Sequence, residues 1–263
     1  MDVEGDARLN NQTAYMNAIF RTDASIDIGT GHVMRCLTLA EVMRKNGIDC
    51  QFICREHDGN FLNEIQLRGF KFHTLPVSEL DMNVDTHAEI NFSYSSWLGV
   101  GWEEDARETE KILAKNRVDW LVVDHYALDV NWENYLRPRC ERIMVIDDLA
   151  NRMHDCDLLL DQNYGRNPID YSKLIPKGCV IITGPKYALL RPEFAKIRSY
   201  SLSRRSTPKL KHLLISMGGI DKDNITEKVL DSLTFSHLPK DFKITVVIGE
   251  SAPWLKNIYD KLK

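Results

Sequence analysis

A histidine that follows two closely spaced glycines is the residue best suited to chemistry in this sequence. A β-rich run over residues 17–21 leads through Asp23 to Gly29, Gly31 and His32, where a helical pattern begins. Glycines let the backbone approach an anionic ligand closely, and a helix N-terminus offers unpaired N–H groups to phosphate. The positive end of the helix dipole favours the neutral imidazole, which suits proton removal from water. The turn therefore predicts a phosphate site with a general base beside it; a plain turn capped by His32 is the alternative.

The glycine spacing does not complete the fingerprint of a dinucleotide-binding fold. The third glycine would fall at position 34, where Met34 would crowd the helix against the strand or the cofactor. Glu56, near the end of the next predicted strand, has the right chemistry for a ribose partner, but the missing glycine weakens that interpretation. We therefore predict no bound cofactor.

Polar side chains follow three of the apolar runs. Asp124, His125 and Tyr126 come at the end of the run Trp-Leu-Val-Val, Asp148 follows a second run and Asn163 a third. In open α/β sheets, functional residues gather at the carboxyl ends of the strands. A single carboxylate in this position can be a simple turn cap. Three such strand ends together predict a polar cleft, with the Tyr126 hydroxyl over a sugar ring.

Two further groups of candidates lie later in the chain. Arg191, in the segment YALLRP, is a candidate for a groove between two lobes, with solvent exposure as the alternative. Gly218 and Gly219 repeat the arrangement of strand, glycine and helix, and Asn224 or Asp223 is the expected N-cap of the following helix.

The elements that must position these residues alternate between strand and helix. Apolar residues recur at spacings of three and four from His32 to Asn46, which predicts a helix that stops at Gly47. The strands are continuous apolar runs, which indicates burial on both faces and hence a parallel sheet under helices. The sequence therefore predicts an α/β fold.

Composition divides the chain into four predicted segments. Residues 1–15 are polar and acidic and are predicted to be a disordered extension, with an over-called start as the alternative, and residues 16–195 are predicted to be an N-terminal Rossmann-like lobe. Residues 196–210, rich in Ser, Lys and Arg, are the predicted linker. Residues 211–263 are predicted to be part of a C-terminal nucleotide-binding lobe.

The composition also argues against several classes of function. The 34 Lys and Arg residues are balanced by 38 Asp and Glu residues, so there is no basic field for nucleic acid or an anionic membrane. No apolar run approaches the roughly eighteen residues of a transmembrane helix. Six cysteines without a CxxC pair, and no signal segment, predict reduced thiols in the cytoplasm. A zinc site through His154 and Cys156 would lack a second ligand pair, so we predict no metal.

Five segments resemble one family of nucleotide-sugar enzymes in both their residues and their order. The chain is similar in these segments to the UDP-2,4-diacetamido-2,4,6-trideoxy-β-L-altropyranose hydrolases of pseudaminic acid biosynthesis, the PseG and SpsG proteins. The segments, which span most of the chain, are FRTDASIDIGTGHVMRCLTLA, LVVDHYALD, VIDDLANRMHDCDLLLDQN, GPKYALLRPEF and ISMGGIDKDNIT.

The resemblance implies a fold, a reaction and roles for particular residues. The fold would be GT-B-like, with two Rossmann-like lobes and parallel sheets, and the reaction would be metal-free hydrolysis at the anomeric carbon with inversion. His32 would be the catalytic histidine of the G-x-G-H motif, and Tyr126 would lie near the sugar. The candidate substrate-binding residues are Asp23, Gly29, Gly31, Arg35, Asp124, His125, Asp148, Asn163, Arg191, Gly218, Gly219 and Asn224.

The chain departs from the family at its end. The later part of the family's second lobe, with its uridine and diphosphate contacts and an active-site asparagine, has no counterpart after Lys263, so we expect an incomplete second lobe. Three hypotheses remain: a monomeric UDP-sugar hydrolase, a GT-B glycosyltransferase that passes the sugar to an acceptor, and a non-catalytic sugar-nucleotide-binding fragment. In each case the predicted partner is a small-molecule UDP-sugar.

Overall fold

The computed structural model describes residues 16–77, 94–115, 117–207, 209–239, 241–250 and 252–262, and the structural statements that follow concern these residues alone. The extension predicted for residues 1–15 lies outside them. The strands are β1 (Asn17–Thr22), β2 (Asp49–Arg55), β3 (Lys71–Leu75), β4 (Trp120–Asp124), β5 (Arg142–Ile146), β6 (Leu158–Asp161), β7 (Val180–Thr183), β8 (His212–Ile215) and β9 (Lys243–Val246). The α-helices are α1 (Gly31–Lys45), α2 (Leu62–Leu67), α3 (Trp102–Leu113), α4 (Val130–Leu136), α5 (Pro192–Arg205), α6 (Ile225–Thr234) and α7 (Leu255–Lys261).

Seven strands form one parallel sheet in the order β3-β2-β1-β4-β5-β6-β7. The strand order reverses direction between β1 and β4, which makes this pair the topological switch point of the sheet. In their register Thr22 pairs with Asp124, so the loops after both strands begin side by side at the same edge. The α/β fold with a parallel sheet, predicted from the continuous apolar runs, is confirmed.

Both faces of this sheet carry buried apolar side chains, because successive residues of a strand point to opposite faces. Ile19 of β1 belongs to the apolar cluster on one face, where α4 contributes Trp132. The next residue, Phe20, belongs to the cluster on the other face, where α1 contributes Leu37. Helices on both faces hold the strand ends in place, which gives the polar residues that follow the strands a rigid support.

The strands β8 and β9 form a second, parallel sheet. Ile215 of β8, Leu230 of α6 and Ile258 of α7 form its buried centre. A strand, a helix and a parallel strand follow one another here, as the sequence predicted. This apolar cluster packs α6 against β8, so the helix is anchored next to the glycine turn that connects the two elements.

Most of the segment predicted as a linker is helical. The helix α5 runs from Pro192 to Arg205 and therefore includes residues 196–205 of the 196–210 segment. Proline suits the first position of a helix because its missing N–H would have no partner there. No residue of α5 is buried. Because the helix covers no apolar core, its sequence lacks the regular spacing of apolar residues that would predict a helix. The division into lobes at residues 195 and 211 stays a prediction.

Candidate active site

His32 lies in the first turn of α1 and does not cap the helix. The N-cap is Thr30, which makes no side-chain capping hydrogen bond. His32 is only 7% exposed, and its Nδ1 atom is buried without a hydrogen-bond partner. Nδ1 lies 4.0 Å from Oδ1 of Asp124, and no hydrogen bond joins Nε2 to another of the described residues. One ring nitrogen is therefore close to a carboxylate, and the other has no partner among the residues that the structure describes.

The surroundings of His32 favour its neutral form. Burial has the largest effect and lowers the pKa of the imidazole below its usual value. The nearby guanidinium of Arg35 also lowers this pKa. The carboxylates of Asp124, Asp148 and Asp23 raise it, but their effect does not outweigh that of burial. At neutral pH the ring is therefore an uncharged base.

Arg35 joins two of the predicted substrate-binding carboxylates. Its Nε and Nη2 atoms each donate a 2.6 Å hydrogen bond to Asp124, one to each oxygen, and its Nη1 atom donates to Asp148. Asp148 also accepts a 2.7 Å hydrogen bond from the Tyr126 hydroxyl and a 3.1 Å hydrogen bond from Nδ2 of Asn163. The ends of β4 and β5 thus meet at the Arg35 guanidinium, and the end of β6 joins them through Asp148. The roles of these residues in substrate binding stay predictions.

Aromatic rings surround His32 and Tyr126. Tyr126 meets His32 edge-on with the ring centroids 4.5 Å apart, and Trp97 stacks on Tyr126 at 5.8 Å. Tyr94 packs edge-on against both Trp97 and Tyr126. Tyr94 and Trp97 could not be predicted from periodicity because they lie in an irregular stretch. The closely spaced aromatic residues of the segment SYSSW were the available signal.

Two of the predicted substrate-binding residues are completely buried beside this cluster. Asp23 accepts a 2.6 Å hydrogen bond from Arg21 and a 2.7 Å hydrogen bond from the backbone N–H of Arg55. His125 accepts a 3.1 Å hydrogen bond at Nδ1 from a backbone N–H, so its proton lies on Nε2, 3.4 Å from Asp23. Burial lowers the pKa of His125 to about 3. Asp23 and His125 are 0% and 1% exposed, so both side chains support the ends of β1 and β4, and their role in substrate binding stays a prediction.

A buried network of ion pairs joins the ends of β1 and β2 to the helix α3, and it was not predicted from the sequence. Asp105 of α3 accepts hydrogen bonds of 2.6 Å from Arg21, 2.7 Å from Arg55 and 2.9 Å from the indole of Trp132. Charged side chains are rarely buried completely unless they are paired. Two arginines at the ends of apolar strands were the only sign of such pairing in the sequence.

The two glycine turns of the chain face each other. A Cβ atom added to Gly219 would lie 3.3 Å from Oγ1 of Thr30, in the turn before α1. Lys222 forms an ion pair with Asp27 across the same contact. The turns that contain Gly29, Gly31, Gly218 and Gly219 therefore lie side by side, and an anionic ligand at one of them would be close to the other.

Arg191 and Asn224 do not join the polar cluster, as far as the described residues show. The Arg191 guanidinium lies over the ring of Phe194, 5.4 Å from its centroid. Asn224 occupies the predicted N-cap position but makes no side-chain capping hydrogen bond. The capping carboxylate is instead Asp221, which accepts hydrogen bonds of 2.8 and 2.9 Å from the first two N–H groups of α6. The predicted N-cap position of Asn224 is therefore confirmed, although the hydrogen bonds that cap the helix come from Asp221.

No cluster of three or more His, Cys, Asp or Glu side chains in the described part of the chain has an arrangement that could hold a metal ion. His154 pairs with Glu133 at 2.6 Å, and the Cys156 sulfur lies 3.6 Å from that of Cys179. Among the described residues, no helix is both long enough and apolar enough to cross a membrane.

Two curated proteins show sequence similarity over most of the chain. The UDP-2,4-diacetamido-2,4,6-trideoxy-beta-L-altropyranose hydrolase of Campylobacter jejuni is 29% identical over 244 residues, which are 92% of this chain and 73% of that protein. An uncharacterized protein of Methanocaldococcus jannaschii is 25% identical over 246 residues, 92% of this chain but 44% of that protein. No protein-family model matches the chain. The first similarity supports membership in the family of that hydrolase, as the sequence motifs predicted.

Solved structures show the same fold. Acinetobacter baumannii MurG superposes with a TM-score of 0.53 at 12% identity, covering 94% of this chain and 63% of MurG. Arabidopsis thaliana UGT89C1 complexed with UDP-L-rhamnose superposes with a TM-score of 0.54 at 11% identity, covering 94% of this chain and 72% of that protein. The chain thus spans under two thirds of MurG. At these identities the similarity establishes the GT-B-like α/β fold alone.

Proposed function

We propose that this chain hydrolyses a UDP-linked sugar, with His32 as the base that activates the attacking water. The observation that carries this proposal is the neutral, buried imidazole at a glycine turn, with Nδ1 beside Asp124. Nε2, which has no partner among the described residues, is the atom that would accept the proton of the water. The similarity to the Campylobacter hydrolase supports the same reaction class.

The reaction is a single displacement at the anomeric carbon. The water oxygen attacks this carbon from the face opposite to the diphosphate, and its proton passes to Nε2 of His32. The bond between the anomeric carbon and the diphosphate oxygen breaks, and its electron pair leaves with UDP. The nearby carboxylates Asp124 and Asp148 stabilise the imidazolium, which then loses its proton to solvent. One displacement inverts the anomeric configuration.

The leaving group explains why one base is sufficient. Ordinary glycosidases use a second carboxylic acid to protonate the departing oxygen. A diphosphate leaves as a stable anion, so donors that stabilise its charge replace the acid. The first N–H groups of α1 have no partner within the helix and lie beside the turn that contains Gly29 and Gly31.

The proposed substrate is UDP-2,4-diacetamido-2,4,6-trideoxy-β-L-altropyranose, and the proposed setting is pseudaminic acid biosynthesis in the cytoplasm. The test is incubation of the purified chain with this compound in ¹⁸O-labelled water, with a chelator and without an acceptor. We expect free UDP and an inverted free sugar that carries the label at its anomeric oxygen. Label in the phosphate, or no UDP release, would overturn the proposal.

Transfer of the sugar to an acceptor is the second candidate, because the fold matches UGT89C1 complexed with a UDP-sugar. A glycosyltransferase releases UDP only slowly until an acceptor is added, whereas a hydrolase releases it in water alone. Isothermal titration with UDP separates both from a binding fragment, which would bind UDP without turnover.

A further inference from the structure

The Nδ1 atom of His32 has no hydrogen-bond partner although a carboxylate lies close to it. Oδ1 of Asp124 is 4.0 Å away, beyond hydrogen-bond distance. Both oxygens of Asp124 are occupied at 2.6 Å by Nε and Nη2 of Arg35. An arginine fork holds a carboxylate in a fixed orientation, because its two parallel hydrogen bonds prevent rotation. The nearest partner of His32 is therefore held away from it.

Charged and titratable groups face His32 from four elements of the fold. Arg35 belongs to α1 itself, one turn beyond His32. The end of β1 contributes Asp23, the end of β5 contributes Asp148, and the end of β4 contributes Asp124, His125 and Tyr126. Asp124 is the carboxylate nearest to the ring, and Arg35 is the residue that controls its orientation.

We propose that Arg35 is a positioning residue that holds Asp124 away from His32 and so keeps His32 neutral. Without the fork, Asp124 turns toward Nδ1 and accepts its N–H. A carboxylate that pairs with an imidazole stabilises the charged form, so His32 would then bind a proton at a higher pH. The inference rests on the proposed function only where it concerns the rate of the reaction.

The test is an NMR titration of the His32 ring in substrate-free protein, with its signal assigned by its absence in His32→Gln. We expect Arg35→Lys and Arg35→Met to raise the titration midpoint by about one pH unit or more, as for an opposite charge brought within hydrogen-bond distance. Arg35→Lys is the decisive variant. It keeps the positive charge, so a rise reports the lost fork and not the lost charge.

Two controls separate pairing from general damage. Arg137→Lys removes a guanidinium that also bridges two carboxylates, Asp155 and Asp157, and it should leave the His32 midpoint unchanged. Arg35→Met combined with Asp124→Asn removes the carboxylate as well, so the midpoint should return to the wild-type value or fall below it. If Arg35→Met does not fold, Arg35→Lys still decides the outcome.

An unchanged midpoint in Arg35→Lys would overturn the inference, and so would a rise that persists in the double variant. Because the titration needs no turnover, its outcome is independent of the hydrolysis assay. A wild-type chain that releases no UDP contradicts the proposed function and leaves the role of Arg35 standing. Release of UDP by the wild-type chain together with an unchanged His32 midpoint in Arg35→Lys supports the proposed function and contradicts the role of Arg35.

Discussion

The hydroxyl of Tyr126 donates a 2.7 Å hydrogen bond to Asp148, while the ring of the same tyrosine meets His32 edge-on at 4.5 Å. Burial, together with this bond, raises the pKa of Tyr126, so the phenol remains a protonated donor at any working pH. The Asp148 carboxylate at the end of β5 thereby fixes the ring of Tyr126, which packs against the proposed base in α1.

Removal of the Tyr126 hydroxyl tests this relationship. Tyr126→Phe keeps the ring against His32 but loses the bond to Asp148, so we expect kcat to fall about tenfold, which corresponds to about 1.4 kcal/mol. Tyr126→Ala also removes the ring and should cost more. Steady-state kinetics of UDP release measure both, and Tyr135→Phe is the matched control because the Tyr135 hydroxyl donates to Glu110 at the surface. Equal rates for Tyr126→Phe and wild type would separate the hydroxyl from catalysis.

Replacement of Asp124 by asparagine should destabilise the protein. The side chain is completely buried, and its charge balances the Arg35 guanidinium. The substitution leaves Asp148 as the remaining carboxylate of the guanidinium among the described residues, so the buried charge is only partly balanced and we expect the free energy of unfolding to fall by about 3 kcal/mol. Urea unfolding measures this change. The control is Asp241→Asn, which removes an exposed pair with Lys211 and should change stability by less than about 0.5 kcal/mol.

The first glycine turn offers a pair of substitutions that separate folding from ligand binding. Gly29 has φ 75°, so Gly29→Ala should cost about 1–2 kcal/mol of stability. Gly31 belongs to α1, and an added Cβ would meet nothing within 4 Å, so Gly31→Ala should fold normally. It would place a methyl group where phosphate is proposed to bind, so we expect UDP affinity to fall roughly tenfold. Thermal unfolding and calorimetric titration with UDP measure the two effects, and unchanged UDP affinity in Gly31→Ala would argue against this phosphate site.

The sheet and the position of His32 could be predicted because their signals are local. The apolar runs of β4 and β5 are continuous and are followed by carboxylates. The glycines before His32 separate the β-rich run of β1 from the helical spacing of α1. Parallel strands place their carboxyl ends at one edge, so the meeting of Asp124 and Asp148 follows from the topology.

The remaining features depend on contacts between distant parts of the chain. Asp105 is one of several acidic residues at the start of α3, and nothing in its neighbourhood indicates that two arginines from separate strands bury it. The same holds for the complete burial of Asp23 and His125, which depends on contacts with distant residues. The helix α5 was predicted as a linker because its Ser- and Arg-rich residues bury no apolar face.

The most direct test of the central claim is the pH dependence of UDP release in wild type and in His32→Gln. Burial lowers the pKa of His32, so the wild-type kcat should fall only below about pH 6.5 and remain constant above it, where the imidazole is neutral. His32→Gln should be slower by roughly two to four orders of magnitude, the usual contribution of a general base, and should lose the acid limb. A wild-type profile that is flat through the acid range, or near-normal turnover in His32→Gln, would contradict the account.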